Sequence, residues 1–529
     1  MAEPIRVVIV GGGTAGWMCA AALSRLLDPA RYALRLIESD EIGTVGVGEA
    51  TLPHLKRFNE VLGINERDMM RATQATFKLG IEFAGWGRAV DRYIHPFGTF
   101  GENWGGLEFQ QHYTHAVQAG LNPGPFQSWS FAVEACRAGR FEFPDEDIHS
   151  IRSTYDYAYH FDAGLYARYL RRWATGRGVM RHEGEIVEVA LAPDSGRIEA
   201  VTLKSGTRIA GDVFVDCSGF RALLLGNLGA QWEDWTQWLP CDRAFAVPSM
   251  RSEAAQAPRN GSGARNIEER ARLPDGEPSG MVPYTVATAQ SAGWTWRIPL
   301  QHRTGNGYVF SSAFTDEDQA RDTLMSTIDK PLGEPKLLRF AAGRRVTSWI
   351  GNCIAIGLAS GFLEPLESTS IYLIQQAILA LSELMPATTE NDPRLSDEFN
   401  RRVAAEYDRV RDFLILHYHA NGRDGEAMWD HCRHMAIPDS LAHTIELFRV
   451  RGHVPFYKDG LFARDSWLAV LMGQDITPRG CDPMAAAVAP SALHQKLEDL
   501  RGRIDGRVGA MTRHEAFVSS YCAAMEAVA

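Results

Sequence analysis

Paired cysteines and long apolar runs are both scarce in this 529-residue chain. No stretch stays apolar for the roughly 20 residues that a membrane-spanning helix needs, which predicts a protein without transmembrane helices. The first residues, MAEPIRVVIVGGG, lack a basic start followed by an apolar segment and a cleavage site. No secretory signal is expected, and a cytoplasmic location is predicted. The eight cysteines (19, 136, 217, 241, 353, 432, 481 and 522) include no CxxC spacing. Neither a zinc site nor a dithiol motif is suggested, and no metal is predicted. In a chain this long the thiols are expected to be reduced and partly buried. Basic charge is also in short supply. Lys and Arg number 54 against 65 Asp and Glu, a formal net charge of −11, which argues against nucleic acid as a partner. The cluster Arg168, Arg171 and Arg172 reads as a solvated helix face.

What is present is ordinary globular composition, 45% hydrophobic and 22% charged, in a chain long enough for two or more interleaved modules. Its N-terminus is specific. IRVVIV, residues 5–10, is a short β-branched run that reads as a buried parallel strand. GGGTAG follows, giving Gly11-x-Gly13-x-x-Gly16, and WMCAAALSRLL then reads as a helix. Gly11 permits the tight turn, Gly13 lets the backbone approach a pyrophosphate, and Gly16 lets helix pack on strand. Thr14 and Ala15 open the helix, whose free N–H groups face the phosphates. A second apolar strand, YALRLIES, ends in Glu38, at the spacing of a ribose ligand. DVFVDCSGF (212–220) and NCIAIGLASGF (352–362) read as later strands of the same sheet, as in flavoproteins of the glutathione-reductase type. No second strand-preceded GxGxxG motif occurs, so the chain lacks a nicotinamide domain of its own. The cofactor predicted is FAD. In GWTWRIPL (293–300), Trp294 and Trp296 would share one face of a strand that stops near Pro299.

Several segments together resemble the flavin-dependent tryptophan halogenases, in the order of that family. They are GGGTAGW (11–17), VGVGEATLP (45–53), FKLG (77–80), HPFG (95–98), HFDAGLYARYL (160–170), GWTWRIPL, and GFLEPLESTSIY (361–372). The resemblance is strong to about residue 380 and vaguer beyond. The WxWxIP signature is complete as Trp294, Trp296, Ile298 and Pro299. It implies an α/β fold: a glutathione-reductase-type FAD-binding Rossmann module with an interleaved substrate module, helical towards the C-terminus. Residues 1–380 would carry the discontinuous FAD module, with an inserted sheet of the substrate module. Residues 381–529 would form the mainly helical remainder.

The resemblance also implies a chemistry. FADH2 arrives from a separate NAD(P)H-dependent flavin reductase, and oxygen with chloride or bromide as co-substrate yields hypohalous acid. A small electron-rich aromatic ring, an indole or tryptophan, is then halogenated. Lys78 matches the family's catalytic lysine, which hydrogen-bonds hypohalous acid or becomes a haloamine; burial would depress its pKa. Glu367 matches the catalytic glutamate, able to stabilise the cationic ring and remove its proton. Glu364 is expected to have a supporting role. Ser368, Thr369 and Ser370 resemble the halide-binding turn at a helix start. His95, Pro96 and Phe97 fall where the family lines its indole pocket. Gly48, Glu49 and Ala50, on an expected loop, and Gly357 with Leu358 complete the cofactor contacts. The family also allows a homodimer. Phe456, Tyr457, Phe462 and Trp467 are aromatic candidates for closing the pocket, and residues 251–266 read as a polar loop. The alternatives at this point are a flavin-dependent aromatic hydroxylase and a non-catalytic flavin-binding protein; Lys78, Glu367 and WxWxIP favour halogenation.

Overall fold

The computed structural model describes residues 3–41, 48–88, 91–251, 280–390, 392–455 and 460–524. The first apolar run forms the strand Ile5–Val10 at the centre of a six-stranded sheet. Tyr32–Glu38 pairs with it on one side and Val213–Asp216 on the other, both parallel. Met180–Glu183 extends the sheet beyond Tyr32–Glu38, and Cys353–Ala355 extends it beyond Val213–Asp216, again parallel. The two late segments read from sequence thus close the sheet as expected. Parallel strands demand crossovers, and the helix Thr14–Leu26 supplies the first. Its residues Gly16 to Leu23 are buried, a continuous small and apolar face that lets the helix lie close on the sheet.

A seven-stranded sheet forms the second layer. Its order is Lys336–Arg339, Arg243–Ser249, Thr304–Phe310, Gly293–Pro299, Thr285–Gln290, Gly80–Ala84 and Arg92–Pro96. All pairs are antiparallel except Gly80–Ala84 with Thr285–Gln290. The tryptophan strand is central. Trp294 and Trp296 lie on one face with ring centroids 6.2 Å apart, as alternation requires. A Cβ at Gly307 would come within 2.1 Å of the Trp296 ring, so glycine opposite makes room for the indole. Pairing to Thr285–Gln290 ends at Arg297, so Pro299 costs the ladder no donor on that side.

A small antiparallel sheet, Gly48–Ala50, Ala158–Asp162 and Thr76–Lys78, bridges the two layers. Gly48 packs closely on the neighbouring strand Thr304–Phe310, where a Cβ at Gly305 would lie 3.2 Å from the Gly48 backbone. Glu49, expected on a loop, therefore lies on a strand. After residue 390 the described chain is almost wholly helical, led by Pro393–His419 with its proline in the first turn. Among the described residues no helix is long and apolar enough to cross a membrane. Every cysteine is a free thiol, and all but Cys481 are buried. Most of the 251–266 segment, as well as Phe456 and Tyr457, lies outside the described residues.

Candidate active site

Lys78 ends the strand Thr76–Lys78, between the buried residues Phe77 and Leu79. Its side chain is fully buried. The Nζ donates to the Thr51 carbonyl and to Ser368 Oγ, each at 3.0 Å, and stands 5.0 Å from the centre of the Phe97 ring. Burial pushes its pKa down to about 7, although Glu367 pulls the other way. The amine is thus available near neutrality and held by acceptors on two sides.

Glu367 and Ser368 occupy left-handed backbone conformations, φ +62° and +59°, just before the helix Thr369–Leu384. Two consecutive non-glycine residues there are uncommon, and such strain gathers at functional sites. The turn carries the Glu367 carboxylate inward, where it is 1% exposed. His95 Nδ1 lies 2.9 and 2.8 Å from its two oxygens, and His417 Nε2 lies 2.8 Å from Oε1. Burial pushes this carboxyl up, but the charge of His95 and hydrogen bonds from His417 and His95 outweigh it and hold the pKa at about 2. Glu364 behaves oppositely. Burial raises its pKa to about 8, limited by the Tyr418 hydroxyl, which donates to it at 2.9 Å, and by the nearby Trp294 indole. The buried Trp294 Nε1 itself makes no hydrogen bond of normal geometry.

The strained turn lies at 367–368, so Thr369 and Ser370 are the first two helical residues rather than the turn itself. They line a small cavity of about 20 Å³ together with Gly357, Leu358 and Tyr407. The late segment 352–362 and the start of the helix thus meet. Gly357, at φ +74°, packs so closely that a Cβ would lie 3.0 Å from Ala15 of the nucleotide helix. His95 and Pro96 end the strand Arg92–Pro96. His95 is engaged with Glu367 rather than presented as a free face, although Phe462 lies 6.1 Å from its ring. Phe462 stacks on Phe413 at 3.8 Å, and Trp467 packs edge-on to the same ring. Trp294 and Trp296 fill the core beside Trp86.

The glycine turn fits a dinucleotide. Gly11 adopts φ +114° with a Cβ position 2.2 Å from the Cys217 carbonyl, and a Cβ at Gly16 would be 1.8 Å from the Gly11 carbonyl. At Gly13 a Cβ would meet nothing within 4 Å, so the backbone there is open to a phosphate. Glu38 stands beside Gly12, receives the Trp17 indole N–H at 3.0 Å, and pairs with Arg181 and Arg171. His417 carries no motif signal of its own, and Thr51, although within VGVGEATLP, takes part through its backbone carbonyl, which no motif announces. Only the half-buried Glu49, its pKa pushed to about 7 by burial, stands out along the Gly48–Ala50 strand.

A Rossmann sheet with an open glycine turn, joined to a buried lysine and a carboxylate on a strained turn, is the frame of a dinucleotide-dependent enzyme. The tryptophan halogenase family model matches residues 6–490, and the chain belongs to that family. A tryptophan 6-halogenase of Streptomyces toxytricini is 36% identical over 533 residues, covering 95% of each chain. The structure of a flavin-dependent halogenase from Xanthomonas campestris superimposes with TM-score 0.90 at 44% identity, covering 99% of both chains. BrvH, a flavin-dependent halogenase from Brevundimonas sp. BAL3, gives TM-score 0.89 at 41% identity, covering 98% of this chain and 100% of that one. The protein is a flavin-dependent halogenase, and the aromatic hydroxylase alternative falls away.

Proposed function

We propose that this halogenase receives reduced FAD from a separate NAD(P)H-dependent flavin reductase and halogenates an indole ring, free or as part of tryptophan, with chloride or bromide. The residues that would hold the cofactor are Gly11, Gly13, Thr14, Ala15 and Gly16 at the pyrophosphate, Glu38 at a ribose, and Gly48, Glu49, Ala50, Gly357 and Leu358 around the rest. When bound, reduced flavin supplies with oxygen the oxidation of halide to hypohalous acid. Thr369 and Ser370 offer helix N-terminal N–H groups to the halide.

The observation that carries this reading is the coupling of Lys78 to the Glu367 turn. Lys78 Nζ donates to Ser368, the residue next to Glu367, so the receiver of the oxidised halogen and the base for the ring form one fixed unit. As a neutral amine Lys78 would take the halogen as a haloamine; as an ammonium it would hold hypohalous acid by hydrogen bonding. Glu367 then steadies the cationic ring and removes its proton. The aromatic side chains Phe97 and Phe462 support a flat, electron-rich substrate, and the relative from Streptomyces toxytricini is named for tryptophan.

A product screen by mass spectrometry tests this. The protein is given FAD, a reductase, NADH, oxygen and either halide, with tryptophan, indole, substituted indoles and phenols. A halogen isotope pattern on an indole, absent in Lys78→Ala, is the expected result. Halogenation confined to phenols would overturn the substrate assignment, and undiminished product from Lys78→Ala would overturn the role of the lysine.

A further inference from the structure

His417 lies on the helix Pro393–His419, 50 positions along the chain from Glu367, and is fully buried. Its two ring nitrogens have unlike neighbours. Nδ1 is 2.9 Å from the Phe413 carbonyl, which can only accept, so Nδ1 carries a hydrogen. Nε2 is 2.8 Å from Glu367 Oε1. If Glu367 is an anion it too can only accept, and Nε2 must then carry a second hydrogen. The pair therefore holds one exchangeable proton, as imidazolium with carboxylate or as neutral imidazole with carboxylic acid. His95 Nδ1 lies within hydrogen-bond distance of both oxygens of the same carboxyl group.

We propose that His417 is a positioning residue that, beside His95, keeps Glu367 ionised in its buried site by holding the shared proton as an imidazolium. This rests on the assignment of Glu367 as the base of the halogenation. The step it serves balances simply. The C–H bond at the tetrahedral ring carbon breaks, its electron pair restores the aromatic ring, and the proton passes to a Glu367 oxygen. A cationic ring is so strong an acid that even a weakly basic carboxylate can deprotonate it. What the site must guarantee is that the carboxylate is charged when the cation forms. Burial alone would work against that, as the raised pKa of Glu364 in the same segment illustrates. The other titratable groups facing the pair are Lys78 on its strand and His95 and Tyr93 on the strand Arg92–Pro96. Phe83, Trp86 and Phe413 wall the imidazole with uncharged rings, and Gln474 donates to the His417 carbonyl. No second carboxylate competes for the imidazolium among these neighbours.

The test is His417→Gln, which keeps an N–H donor but cannot hold a charge. The acid limb of the pH profile for kcat/KM of halogenation should move up by about 1–3 units, as expected on losing an adjacent opposite charge. A lower rate with an unmoved acid limb would overturn the proposal and leave His417 a packing residue. Neutron diffraction from the wild-type protein at neutral pH is the second measurement, independent of whether the variant folds. Deuterons on both ring nitrogens of His417 are expected; a deuteron on Glu367 with only Nδ1 of His417 occupied would overturn it. Absence of any halogenated product from the wild type would sink the base assignment, whereas the neutron result would still decide the protonation of the pair.

Discussion

Lys78 and Glu367 are both wholly buried, and burial disfavours the charge of each, yet their partners leave them in opposite states. The lysine has only carbonyl and hydroxyl acceptors in contact, so desolvation lowers its pKa to about 7. The glutamate has two histidines, so it stays ionised. Lys78→Ala should abolish halogenation while flavin binding and peroxide release persist; product mass and a peroxide assay read the two separately. Glu367→Gln removes the base but keeps the shape, and single-turnover rates should fall by about 10²–10⁴-fold, the usual span of general-base catalysis. A rate within a few-fold of wild type would move the role elsewhere, with Glu364 the first suspect.

At the scale of elements, glycines decide which backbones can approach. Gly13 and Gly16 belong to one motif but face different constraints. Gly13→Ala points into open space, so the fold should survive while flavin binding weakens. Gly16→Ala would drive a Cβ into the Gly11 carbonyl and should impair folding itself. Flavin titration and thermal unfolding distinguish these outcomes. Gly307→Ala tests the packing of the tryptophan strand. The added methyl collides with the Trp296 ring, and overpacking of this kind costs about 1–3 kcal/mol. An unchanged melting temperature would show that the indole is free to move.

Across the whole molecule, the C-terminal helix braces the catalytic strand. His514, on the helix His514–Cys522, accepts the Phe77 N–H at 3.2 Å through Nε2 and donates from Nδ1 to the Met281 carbonyl at 2.7 Å. One ring thus ties the residue beside Lys78 to a segment more than 400 positions away. His160 braces the same strand through Thr76. Burial lowers the pKa of His514 to about 4 and that of His160 well below its ordinary value. Both are therefore neutral in the folded protein and take up protons on unfolding. His514 alone should contribute a decline of up to about 3 kcal/mol as pH falls from 6.5 to about 4, against an opposite contribution from the raised carboxyls of Glu49 and Glu364 in the same range. Denaturant midpoints across that range check this, and His514→Gln should flatten the decline.

The nucleotide half of this protein was legible in its sequence because each signal there is local. IRVVIV, the glycine turn, the helix after it and the strand ending in Glu38 follow one another without a gap, and neighbouring residues impose the conformation. The tryptophan pair was legible for the same reason, since alternation along one strand puts both rings on one face. Lys78, Glu367 and Phe97 could be named from their motifs, but not their relation. Whether Lys78 was buried, and that it is tied to Ser368, depended on the meeting of a short strand with a turn 290 positions later. The exact start of the helix at Thr369 was missed because the strain falls on Glu367 and Ser368, which carry no glycine to announce it. His417 had no motif at all, being one histidine among the 16 of the chain. The sequence by itself determined the strand, glycine turn and helix that open the parallel sheet, because these follow from short-range sterics, and its resemblance to the halogenases named Lys78 and Glu367 as candidates. Only the tertiary structure decided their charges and partners, because desolvation and hydrogen bonding depend on which distant residues close over them.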